Sequence, residues 1–297
     1  MENLVLVFLA GLVTAIATGL GALPFFFVDD FSDRWNVGLW GVASGIMVTV
    51  SVFGLINEGL AYVSGSVPSL MIAGLLTGVA LVEIGDWALE RVDVPTADPH
   101  DHDQQDDTDD VSPARTDGGG HDDHALEAKA IAKGDPKTLL LILGILTIHS
   151  FPEGVAVGVS FAELGLDGGM GLLGVSIPVL AVFMTIAISI HNIPEGTAIA
   201  IPMRAMGLSK WRMVGAAIFS SLPQPIGAVI AYAFVTWAQS FLPFGYGFAA
   251  GAMVYLVATE FIPEALETGA ALPNNGYREL IIGFGAGGLA MLPMLFV

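Results

Sequence analysis

The chain is 297 residues long, with 54% hydrophobic and only 13% charged residues, a balance that excludes an ordinary soluble domain and points to a membrane protein. Its formal net charge of −19 resides in hydrophilic segments and argues against nucleic acid as a partner. Cysteine is absent, which excludes disulfides and thiolate metal sites.

Crossing ~30 Å of hydrocarbon takes about 20 apolar residues in a helix. Eight predominantly apolar runs of that order occur, at 3–27, 36–56, 68–87, 137–161, 172–202, 211–238, 244–266 and 277–297. The first lacks the basic start of a cleavable signal and exceeds the apolar length of one, so it is expected to remain as a helix. The pattern predicts an all-α polytopic membrane protein of eight transmembrane helices, with 1–297 as a single transmembrane domain.

With eight helices, all ten Lys and Arg fall in the odd-numbered loops: Arg34 in the first, Arg91, Arg115, Lys129, Lys133 and Lys137 in the third, Arg204, Lys210 and Arg212 in the fifth, and Arg278 in the seventh. The positive-inside rule then places the odd loops in the cytoplasm and both termini outside.

The third loop, 91–136, is the one long break in hydrophobicity. Between Asp98 and Glu127 it holds eleven carboxylates and four histidines, His100, His102, His121 and His124. Such a segment has too little apolar surface to offset the entropy of folding and is expected to be disordered. Metal capture and a solvated acidic linker are both open to it.

Laid on itself with a shift of 206 residues, "SGIMVTVSVFGLINEGL" (44–60) faces "AGAMVYLVATEFIPEAL" (250–266), and "TGLGAL" (18–23) faces "QPIGAV" (224–229). Helices one and two therefore resemble helices six and seven, an odd number of crossings later, so the related parts point in opposite directions. We expect inverted repeats, helices 1–3 and 6–8, around central helices 4 and 5, although the match is not evident in helices three and eight. Inverted repeats are common in secondary transporters, whose substrate sites lie near the bilayer midplane.

Helices four and five carry "HSFPEG" (149–154) and "HNIPEG" (191–196). An ionisable group at membrane depth costs at least ~2.5 kcal/mol on insertion scales and is by default a functional hypothesis. His149 and Glu153 are four apart, as are His191 and Glu195, so each pair shares a helix face. Pro152 and Pro194 remove a backbone N–H and are expected to kink the helix, while Gly154 and Gly196 admit a close backbone. Two imidazoles and two carboxylates make a mixed N/O site suited to Zn²⁺, Fe²⁺, Mn²⁺, Co²⁺ or Cd²⁺ rather than Cu⁺. Two negative charges match a divalent ion in a medium that penalises net charge.

"HSFPEGVAVG", "HNIPEGTAIA" and the "FIPEA" that closes helix seven resemble the ZIP (Zrt/Irt-like protein) family of divalent metal transporters, as do the eight helices and the histidine-bearing third loop. The resemblance implies an intramembrane metal site at His149, Glu153, His191 and Glu195, with Met47 of helix two completing it as in some members. It implies inward transport across the plasma membrane, with zinc first among the cargo ions. Binuclear members of the family imply a second ion held by Ser150, Asn192, Glu153, Glu195 and Glu260. Ser150 departs from the common asparagine, which puts that ion in question, and Gln224 stands where relatives often carry glutamate. The expected partners are divalent metal ions, the lipid bilayer and, as one assembly the chain allows, a homodimer.

Three rival functions bear on the same residues. An intramembrane metalloprotease would place glutamate directly after the first histidine in HExxH, and neither motif does. A cation-diffusion-type metal exporter typically has six helices and a terminal cytoplasmic domain. A membrane metal sensor without flux would share the site but move no ion.

Overall fold

A computed structural model describes residues 2–28, 32–63, 67–89, 149–164, 170–172 and 175–296. The acidic segment 91–136 and the expected start of helix four, 137–148, lie outside the described residues.

Among the described residues the helical segments are α1 (Glu2–Phe26), α2 (Asp33–Ala61), α3 (Ser69–Leu89), α4 (149–160), α5 (Val179–Ala205), α6 (Lys210–Trp237), α7 (Gln239–Thr268) and α8 (Tyr277–Ala290). Five of them, α1, α2, α5, α6 and α7, are long and apolar enough to cross a membrane. The chain is thus an all-α membrane protein, with one small hairpin among the described residues.

That hairpin corrects the expected start of the fifth helix. Residues Met170–Leu172 pair antiparallel with Val175–Ile177, Met170 opposite Ile177, and α5 begins only at Val179. Proline restricts the residue before it to extended backbone, so Pro178 holds Ile177 in the strand and lets the helix start behind it. From there α5 runs for 27 residues, through Pro194 and Pro202.

The interior and exterior reverse the arrangement of a soluble protein. Val13, Ile16, Leu76, Ile230 and Ile281 are exposed, as side chains facing lipid would be, while Glu153, His191, Asn192 and Gln224 are buried. The apolar core around them draws Trp40, Met47 and Leu55 from α2, Val157 from α4, Met184 and Ile188 from α5, and Tyr246 and Met253 from α7.

Two helix pairs pack through glycine. A Cβ on Gly41 or Gly45 of α2 would overlap the carbonyl oxygen of Leu280 or Phe284 on α8, and one on Gly247 or Gly251 of α7 would overlap that of Met71 or Leu75 on α3. Small residues are what allow such close approach between membrane helices. The α2 glycines become the α7 glycines on adding 206, and the α8 carbonyls become the α3 carbonyls on subtracting 209. Both α2 and α7 also contain a π-helical turn, Val50–Ile56 in one and Val257–Phe261 in the other.

Candidate metal centre

The i, i+4 spacing in α4 and α5 gives each helix a face bearing one imidazole and one carboxylate. The glycine that ends each motif sets how near the flanking helices come: a Cβ on Gly154 would overlap the Gln224 carbonyl of α6, and one on Gly196 would overlap the Thr18 carbonyl of α1. The expected role of both glycines is therefore observed.

Three side chains converge. His191 Nε2 lies 3.1 Å from Glu153 Oε1 and 3.5 Å from Glu195 Oε1, and the three donor atoms all fall within 4.8 Å of one another. A tetrahedral Zn²⁺ with bonds of about 2.0–2.1 Å separates its ligand atoms by roughly 3.3–3.5 Å. The two His191 contacts already stand near that separation, so these three side chains could hold one such ion. The His191 ring is fully buried and stacks on Phe261 of α7, centroids 5.0 Å apart. Its Nδ1 has no hydrogen-bond partner among the described residues.

The other expected ligands are placed differently. His149 Nε2 approaches Glu260 Oε1 at 3.1 Å, and both side chains are partly exposed. Glu260 sits in the π-helical turn of α7, a local irregularity that recurs at functional sites. Asn192 is buried and donates through Nδ2 to the Thr14 carbonyl at 2.8 Å and to Gln224 Oε1 at 3.1 Å. Ser150 donates through Oγ to the Ser220 carbonyl at 3.2 Å. Met47 is buried in the apolar core of α2 and is not one of the three converging residues.

One residue outside the expected ligand set joins the network directly. Gln224 donates through Nε2 to Glu153 Oε2 at 2.5 Å, so Glu153 is held from two sides. A lone amide inside an otherwise apolar run, "SSLPQPIGA", is the sequence signal for it.

A family model described as ZIP Zinc transporter matches residues 89–292. The chain belongs to the ZIP family. Similar proteins include a candidate zinc transporter of Arabidopsis thaliana, 34% identical over 86% of this chain but only 34% of that protein. The zinc transporter GufA of Myxococcus xanthus is 29% identical over 86% of this chain and 87% of its own length. The zinc transporter ZIPB of Bordetella bronchiseptica is 31% identical over 88% of this chain and 73% of its own. The chain thus spans about a third of the plant relative and most of each bacterial one. ZIP proteins are transporters and not enzymes, which removes the metalloprotease.

Proposed function

We propose that this chain carries divalent transition-metal ions across the plasma membrane into the cytoplasm, with Zn²⁺ first and Fe²⁺, Mn²⁺, Co²⁺ and Cd²⁺ as further cargo. The observation that carries the reading is the convergence of buried Glu153 and His191 with partly buried Glu195 between the two HxxPEG helices. Two carboxylates balance the charge of one divalent ion, and the imidazole supplies the nitrogen that zinc and its neighbours in the series accept. His149 with Glu260 forms an adjoining pair through which an ion would pass.

Eight crossings with both termini outside, and inverted repeats about α4 and α5, complete the proposal. The matching glycine contacts of α2 with α8 and of α7 with α3 support the repeat, as do the paired π-helical turns. The relation extends to the centre: Gly154 meets Gln224 as Gly196 meets Thr18, with Gln224 and Thr18 again 206 apart. Repeats of this kind support alternating access by rocking of one bundle against the other.

Flux into proteoliposomes tests the reading. Wild type should accumulate Zn²⁺, and Glu195→Ala should not. Equal flux in both would refute the site, and no flux in wild type would favour a sensor.

A further inference from the structure

Gln224 reaches the centre from α6, flanked by Pro223 and Pro225, and is fully buried. Its two hydrogen bonds fix which way its amide points. An ionised carboxylate only accepts, so the NH₂ must face Glu153 and the oxygen must face Asn192. Asn192 in turn must offer its NH₂, whose second hydrogen goes to Thr14. Its Oδ1 is left buried with no hydrogen-bond partner among the described residues. Glu153 is likewise divided, Oε1 toward His191 and Oε2 toward the amide.

We propose that Gln224 is a positioning residue standing where a second cation would otherwise be required, so that the centre holds one divalent ion on Glu153, His191 and Glu195. The inference rests on the transport reading above and departs from the two-ion arrangement that the family resemblance implies. A carboxylate at position 224 would bring two like charges to the 2.5 Å separation now spanned by a hydrogen bond. Such a pair demands a shared proton or an intervening cation. The amide makes no such demand: it satisfies Glu153 Oε2 with a neutral donor and leaves two carboxylates to balance one ion. Ser150 adds to this, since its hydroxyl is turned to the Ser220 carbonyl of α6.

The test is Zn²⁺ stoichiometry by equilibrium dialysis on the purified full chain, comparing wild type with Glu195→Ala, Gln224→Glu and Gln224→Met. The histidines of 91–136 are common to all four proteins, so differences report the centre. Glu195→Ala should hold one equivalent fewer than wild type and Gln224→Glu one more. Gln224→Met should keep the wild-type count but bind about 10- to 100-fold more weakly, the usual effect of losing a residue that orients ligands. A loss of two equivalents in Glu195→Ala overturns the one-ion centre, and a Gln224→Glu count equal to wild type, the mark of a proton shared with Glu153, overturns the claim that the amide stands where a second cation would be required. Unchanged affinity in Gln224→Met overturns the positioning role, and still does so if Gln224→Glu fails to fold. A Glu195→Ala count equal to wild type refutes the metal centre itself, a result distinct from the others.

Discussion

The two HxxPEG helices carry nearly the same letters in different surroundings. On α5, His191 is enclosed between Glu153 and Glu195 and covered by Phe261. On α4, His149 is partly exposed and faces Glu260 of α7. The frame around them is nonetheless matched: Asn192 bonds the Thr14 carbonyl as Ser150 bonds the Ser220 carbonyl, and those two carbonyls are again 206 residues apart. Matched helix contacts thus carry two unlike linings, one that encloses His191 between two carboxylates and one that leaves His149 partly exposed.

The contrast can be broken most severely at the histidines. His191→Ala leaves the buried carboxylate of Glu153 and the partly buried one of Glu195 without their shared partner, and loss of a buried charge's partner costs up to about 3–5 kcal/mol. It should abolish Zn²⁺ flux in proteoliposomes, whereas His149→Ala should leave measurable flux. Equal loss in both would mean that the two linings are equivalent.

The frame itself is tested at the glycines. Gly154→Ala and Gly196→Ala each force a Cβ onto a carbonyl oxygen and should lower stability by at least about 1–3 kcal/mol, measured as a fall in the thermal unfolding midpoint. Gly215→Ala, which meets open space, should not. A fall in only one of the two motif variants would contradict the matched frame.

The smallest expected difference is between Asn192→Ala and Ser150→Ala. Asn192 links Thr14 and Gln224 and its loss should weaken Zn²⁺ binding about tenfold or more, while Ser150→Ala removes a single hydrogen bond worth about 1 kcal/mol. Binding isotherms of the two variants would order them.

Much of this was readable beforehand because burial in a bilayer is costly. His149, Glu153, His191 and Glu195 stand out in apolar runs, and Gly154 and Gly196 announce close helix contacts. The pairing within the site was less accessible. Whether Glu153 meets the histidine of its own helix or that of α5 depends on how the helices pack, and here His191 is its partner. Met47 fits an apolar core as well as a ligand set, since its side chain carries no signal that separates the two. The π-helical turns and the hairpin before Pro178 arise from shifts in backbone hydrogen bonding that leave composition unchanged.

The most direct measurement is an anomalous difference map from crystals grown with Cd²⁺. The predicted result is a single strong intramembrane peak between Glu153 Oε1, His191 Nε2 and Glu195 Oε1. A map with no peak there, and density only at His149 and Glu260, would contradict the account.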